Sequence, residues 1–380
     1  MLPCLNFDIQ VEIMKRLPVK SLIRFRSVCK AWKSLIDSSR FVAGHNVSHD
    51  QSEHLMVCYE VEYGEESKIK YVSFVDDDSD SFPQNKFSPP VPPILLSLDE
   101  YEIIGSSCGL VCLEGSLQEP DGSSKTHMVV LWNPSIRKSI AVVVPNEVQS
   151  RCYPFVNFGV CPKTKDPKLV KFSSGQEVMV FTLSSGKWRC LSSNLLPFKP
   201  LLFDIEENLQ TVIGRFLYRL TDGGEASRML SFDLSTDEFR EVPLPDSLVQ
   251  SHLGISKLRE SLVLIDHNGR DSTTGIYVCD VWMMMEDGAL TKLFTIKDIQ
   301  WIWGFKKTGE PVVEILEDEN STSLVVYEPC LEHMKDLGIG EKGHLFNGSF
   351  NTESLLLLDH DDGRVITSSC EELNHGIHRD

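Results

Sequence analysis

The sequence predicts an α+β multidomain chain: three short N-terminal helices, then an all-β domain, a β-propeller of six or seven blades. Three observations carry this. Residues 5–36, LNFDIQVEIMKRLPVKSLIRFRSVCKAWKSLI, repeat apolar side chains at helical spacing. After about residue 50, short Val/Leu/Phe/Tyr runs alternate with Gly, Asp, Ser and Asn turns, as strands do. Trp132, Phe181, Phe232, Trp282 and Tyr327 then follow one another at 49, 51, 50 and 45 residues. Four strand candidates per roughly 50 residues is the period of propeller blades. A pair of β-sandwiches would explain the strands but not the spacing.

The helices come first. Asp8 is a suitable N-cap, and Glu12 with Arg16 makes an i,i+4 pair. Ile9, Ile13 and Leu17 form one apolar stripe. Pro18 ends that helix and suits the start of the next, which Leu22 and Phe25 mark. Ser27 can cap a third helix bearing Trp32, Leu35 and Ile36. A unit of roughly 40 residues rarely buries that much apolar surface alone. Packing on the rest of the chain, or on a partner, would cover it. Residues 1–42 carry 8 Lys+Arg against 3 Asp+Glu, net +5; the remainder carries 29 against 52, net −23. A basic helical cap therefore precedes an acidic body.

The order of residues in this cap resembles the F-box. The likeness rests on Asp8-Ile9, Glu12-Ile13-Met14, Arg16-Leu17-Pro18-Val19-Lys20-Ser21-Leu22, Arg24-Phe25-Arg26, Val28-Cys29-Lys30 and Trp32-Lys33-Ser34-Leu35-Ile36. The resemblance implies docking onto a Skp-type adaptor and, through it, a cullin ubiquitin ligase. It assigns Leu5, Ile9, Ile13, Leu17, Pro18, Leu22, Phe25, Val28, Trp32 and Leu35 to the adaptor face or to the small core behind it. Lys20, Arg24 and Lys30 could steer an acidic partner. F-boxes usually open Leu-Pro; here Asn6 follows Leu5, and Leu2-Pro3 lies upstream. Asn can cap a helix, but a proline that packs at the family's adaptor interface is replaced.

The body reads as repeated hairpins. Each unit is an apolar strand ending at an aromatic, a polar turn, and a second strand with a bulky residue: VVLWNPSIRKSIAVV, VMVFTLSSGKWRCL, LSFDLSTDEFREVPLP and LVVYEPCLEHMKDL. Phe181 and Trp188, Phe232 and Phe239, and Tyr327 and Met334 each stand seven apart, which suits packing across a tight turn. GLVCL, LVKF, RFLYRL, SLVLID and PVVEIL supply the preceding strands. Blades are expected at 101–144, 150–192, 200–245, 250–297 and 300–339. Residues 54–75 and SLLLLD, 354–359, are expected to share a further blade that closes the ring. Residues 76–93 read as an exposed Pro-rich loop. The division expected is a cap at 1–45, a connector with first strands at 46–100, the propeller at 101–368, and a polar tail at 369–380. GSSCGLVCL with LWNPSIRK, FGVCPKTKDPKLVKF, FDLSTDEFREVPLP, VWMMMEDG and LLLLDHDDG resemble the F-box-associated domain of plant F-box proteins, a kelch-like propeller. What that implies is a domain that recognises a client protein.

Composition bounds the rest. The chain is 41% hydrophobic and 24% charged, with net charge −18, which argues against nucleic acid or an anionic membrane as ligand. No run is long and apolar enough to span a bilayer, and Asp8 and Glu12 interrupt any leader-like run. The expectation is an intracellular protein, cytoplasmic or nuclear. Eleven cysteines without CxxC pairs read as reduced, mostly buried thiols. Cys29 reads as a small buried hydrophobe. No zinc spacing, HExxH or P-loop is found, so no metal, no cofactor and no catalytic residue is expected. Asp76-Asp77-Asp78, Glu317-Asp318-Glu319 and Asp359-His360-Asp361-Asp362 read as solvated turns, and His45, His49 and His54 as exposed connector residues. Trp132, Trp188, Trp282, Trp301 and Trp303 read mainly as core, with Trp301-Ile302-Trp303 placing two indoles on one face. The leading functional expectation is a non-catalytic substrate receptor of a Skp–cullin–F-box ligase. A glycan-directed propeller enzyme and an adaptor-bound scaffold without ubiquitin transfer are the rivals.

Overall fold

The computed structural model describes residues 6–45, 53–63, 66–76, 86–119, 122, 124–145, 155–172, 178–191, 210–222, 226–270, 276–286, 288–318, 321–331, 333–342 and 346–367. Four helices come first: α1 Phe7–Met14, α2 Val19–Phe25, α3 Lys30–Ile36 and α4 Ser39–His45. The fourth was not anticipated. Asn6 rather than Asp8 caps α1, its side chain accepting from the Asp8 N–H at 3.2 Å. Asn6 has extended backbone angles, as an N-cap requires. Glu12 pairs with Lys15 at 2.7 Å, one residue nearer than Arg16. Pro18 opens α2 as expected. Cys29, not Ser27, caps α3, with Sγ accepting from the Trp32 N–H at 3.4 Å. That cap leaves Cys29 exposed rather than buried.

The all-β part is a six-bladed propeller. Blade 1 pairs Phe346–Thr352 with Glu53–Tyr63, Glu66–Asp76 and Lys86–Phe87. Blade 2 holds Asp99–Ser107, Leu110–Gln118, Lys125–Asn133 and Lys138–Val143, with Arg364–Ile366 added as a fifth, parallel strand. Blades 3 to 6 are four-stranded antiparallel sheets spanning residues 155–191, 210–242, 253–297 and 301–342. Both chain ends close the ring, but the closing strand is FNGSFNT (346–352), not SLLLLD. Residues 354–359 form a turn-rich segment whose four leucines are buried. The Pro-rich stretch is also less open than expected. Lys86–Phe87 pairs with Ser73 and Phe74, and Pro89 and Pro92 are buried.

Strand alternation builds the core between blades. Leu55 and Val57 join a cluster with Val312, Leu324 and Val326 of blade 6. Their neighbours Met56 and Cys58 join Val111, Leu113 and Trp132 of blade 2. Each sheet is thus apolar on both faces, and burying both closes the ring. The seven-residue aromatic pairs are cross-strand partners: Phe181 opposite Trp188, Phe232 opposite Phe239, Tyr327 opposite Met334. The phenyl rings of Phe232 and Phe239 lie 4.7 Å apart. One turn recurs between third and fourth strands. Its fifth residue is left-handed: Arg137 at φ 57°, Gly186 at 65°, Asp237 at 60°. Asn133 or Asp233 opens it by accepting from the N–H two residues on, at 3.0 and 2.8 Å.

Candidate functional site: a helical docking face and the opposite propeller face

The helices sort the ten residues assigned to the adaptor face. Leu22 is fully buried beside Met14, Val19, Ile36, Phe41 and Val42, and it is core. Leu17, Phe25, Trp32 and Leu35 are half-buried and pack against that core. Phe25 and Trp32 meet with ring centroids 5.2 Å apart, and the Trp32 indole N–H donates to Gln10 Oε1 at 2.9 Å. Ile9, Ile13 and Val28 are 51%, 49% and 60% exposed, and Pro18 is exposed too. Leu5 lies outside the described residues. Phe7, 46% exposed, joins the apolar surface and was missed. The signal for it was its place two residues before Ile9, on a helix too short to bury both.

Polar contacts fix the helices without covering that surface. Arg26 donates twice to the Asp37 carboxylate, at 2.6 and 3.0 Å. His45 is buried, not exposed, with Nε2 2.7 Å from the Leu17 carbonyl oxygen. His49 lies outside the described residues, and His54 sits in a strand of blade 1, where burial lowers its pKa. Arg16, Lys20, Arg24, Lys30 and Lys33 are exposed around the apolar face.

The helical core is continuous with one end of the propeller. Its cluster includes Leu110 and Leu183, with Cys108 and Ile136 packed against it, all in or beside tight turns of blades 2 and 3. The other end of the ring carries the starts of the innermost strands. There Glu102 and Glu114 stand opposite each other on adjacent strands of blade 2. Arg219 of blade 4 donates to Asn157 Oδ1 at 2.7 Å and lies 5.1 Å from the Phe155 ring. His127 Nε2 is 3.5 Å from Glu114 Oε2. Burial, then the neighbouring Glu114 carboxylate, pushes the Glu102 carboxyl up to about 7. The Glu102 side chain is nonetheless open to water. Burial brings Arg219 down to about 10, against the pull of the two carboxylates.

Between blades 5 and 6, His267 stacks on Trp301 with centroids 3.9 Å apart and planes 4° off parallel. Trp303 donates to Glu314 Oε2 at 3.1 Å and meets Trp301 edge-on at 6.4 Å. Both indoles are half-buried, whereas Trp132 and Trp188 are wholly buried and Trp282 packs against the interface of blades 4 and 5. Cys279 Sγ lies 3.3 Å from His267 Nδ1. Burial pushes that thiol up to about 12 and the imidazole down to about 3. A nucleophilic cysteine needs the reverse, a thiolate beside an imidazolium. Among the described residues, no group of three or more His, Cys, Asp or Glu side chains converges as a metal site would. No helix there is long and apolar enough to cross a membrane. Asp77, Asp78 and Glu319, from the acidic clusters, lie outside the described residues.

Comparison with known proteins bears on both regions. Residues 2–43 match the F-box domain, and residues 50–327 match the F-box associated beta propeller domain. The chain is similar to three curated proteins of Arabidopsis thaliana. Putative F-box protein At3g16210 is 29% identical over 243 residues, covering 63% of this chain and 60% of that one. F-box/kelch-repeat protein At3g23880 is 24% identical, covering 77% and 79%. F-box protein At3g07870 is 26% identical, covering 87% and 86%.

Proposed function

Because this chain belongs to the F-box proteins that carry an F-box associated beta propeller domain, we propose that it is the substrate-recognition subunit of a Skp–cullin–F-box ubiquitin ligase. The helices hold a Skp-type adaptor through Phe7, Ile9, Ile13, Pro18 and Val28. Leu17, Leu22, Phe25, Trp32 and Leu35 hold that face in shape from behind. The single observation that carries the reading is a folded, internally cored helical unit that still leaves four large apolar side chains about half exposed or more. The basic rim favours an acidic adaptor and speeds its encounter.

The propeller holds the client on the face away from the helices, where the innermost strands begin. The chain itself makes and breaks no bonds. It raises the effective concentration of client lysines near a charged conjugating enzyme. The test is a pull-down with a purified Skp-type adaptor under reducing conditions. Wild type is retained, and Ile13→Asp, a surface change, is lost while its far-UV spectrum is unchanged. Equal retention of a folded Ile13→Asp variant refutes the assignment of this face.

A further inference from the structure

The ring of blades is complete at Thr352, the last residue of the closing strand. The described chain nevertheless continues to residue 367, and this continuation is anchored unusually well. Asn133 is fully buried and donates through Nδ2 to the Ser354 carbonyl at 3.0 Å, to Ser354 Oγ at 3.1 Å and to the Leu356 carbonyl at 2.8 Å. Lys138 donates to the Leu358 carbonyl at 2.7 Å and also to that of His360. Asp362 Oδ1 accepts from the Ser139 N–H at 2.8 Å, and the Gly363 N–H donates to the Ser139 carbonyl at 2.9 Å. Arg364–Ile366 then adds to the edge of blade 2 in parallel. The acidic run lies in turns with Asp359, Asp361 and Asp362 exposed, as expected, and Asp362 also serves as an anchor.

Between these anchors lie Leu355, Leu356, Leu357 and Leu358, all buried. They belong to the same apolar cluster as Met14, Val19, Leu22, Ile36, Phe41 and Val42 of the helices. Two backbone features show how tightly the segment is seated. A Cβ on Gly109, at φ 83°, would stand 2.3 Å from the Ser354 side chain. Leu357 takes a left-handed φ of 70°, which a leucine keeps only where its surroundings impose it.

We propose that residues 354–366 are the joint that fixes the adaptor-binding helices at one angle to the propeller, with Asn133, Lys138 and Asp362 as positioning residues. The leucines are a plug shared by both parts, and the polar anchors bolt that plug to blade 2. The proposal deepens the substrate-receptor reading and rests on it for its purpose. A ligase that works by proximity gains most when the client face and the adaptor face keep a fixed separation. A joint made of the chain's far end also ties that geometry to a fully closed propeller.

The experiment uses the full chain with Cys4, Cys152 and Cys370 changed to Ser. Nitroxide labels go on Cys29 and Cys330, the exposed cysteines among the described residues, one in the helical unit and one in blade 6. Mass spectrometry confirms two labels per chain. Pulsed electron spin resonance then gives the distance distribution. The wild type shows one narrow peak, and Lys138→Arg keeps it. Lys138→Met combined with Asp362→Ala broadens it at least two-fold, as does truncation after Glu353, while the propeller still melts cooperatively. An unchanged width in the folded double variant overturns the proposal, whether or not the truncated chain folds. Adaptor binding is measured on the same proteins without labels, because a label on Cys29 would stand beside Val28 of the adaptor face. Absence of binding by wild type would sink the receptor reading and leave the distance result standing.

Discussion

Lowering the pH from about 7.5 to about 5 costs this fold about 2 kcal/mol through one side chain, His267. The ring lies face to face with Trp301 at 3.9 Å, and its Nδ1 meets Cys279 Sγ at 3.3 Å. Gly254 crowds its other side, where an added Cβ would come within 3.0 Å of Nε2. His252, at 6.0 Å between ring centroids, is the nearest like-charged neighbour when protonated. Burial, then His252, lowers the imidazole from 6.5 to about 3. Between those values the unfolded chain binds a proton that the folded chain refuses. The stability is present above 6.5 and is lost progressively as the pH falls towards 3. At about pH 5 the loss covers roughly one and a half pH units, each worth about 1.4 kcal/mol. The assay is urea unfolding of wild type and His267→Phe at both pH values. Phenylalanine keeps the stack on Trp301 and cannot take the proton. The stability difference between the two proteins moves by about 2 kcal/mol in favour of His267→Phe at the lower pH. An identical difference at both pH values refutes the reasoning.

Glu102 behaves in the opposite sense. Its folded pKa is raised to about 7, so the fold holds a proton that the unfolded chain releases above about 4.5, and stability is lost as the pH rises through 7. Glu102→Gln removes that loss, so its stability relative to wild type grows between about pH 5 and pH 8; a constant offset in unfolding midpoints would contradict this. In the helices, Leu22→Ala empties a wholly buried site and costs about 2–5 kcal/mol. Ile13→Ala, at a half-exposed site, costs about 1 kcal/mol or less. Equal shifts in thermal unfolding would mean that the two residues do not play different parts.

The order of elements was legible because the chemistry repeats. An aromatic strand end, a turn whose fifth residue is left-handed, and a bulky partner seven residues on mark blades 3 and 4, where Phe181–Trp188 and Phe232–Phe239 prove to be partners. The closing strand was misplaced for a physical reason. Four consecutive leucines read equally well as a buried strand or as a buried plug, since period alone cannot separate them. FNGSFNT, which does pair with blade 1, offers two phenylalanines among polar residues and gives a weaker signal. Capping was misread because Asn6 and Asp8 are chemically alike, and backbone angles rather than residue type decide which of them caps. The cluster of Glu102, Glu114, His127, Asn157 and Arg219 was invisible in the sequence. Its members come from three consecutive blades and meet only when those blades pack side by side. The helical face was legible as a set of ten residues, but not which of them point outward. Phe7 and Val28 illustrate that gap, since exposure depends on where each short helix sits over the others.

Titration calorimetry of the purified full-length chain with a Skp-type adaptor, repeated at several temperatures, asks most directly whether the N-terminal surface is built to be covered. Burying Phe7, Ile9, Ile13 and Val28 gives a one-to-one complex with Kd below about 1 µM and a negative heat-capacity change. No saturable heat at any temperature, or a complex whose heat-capacity change is zero, would contradict it.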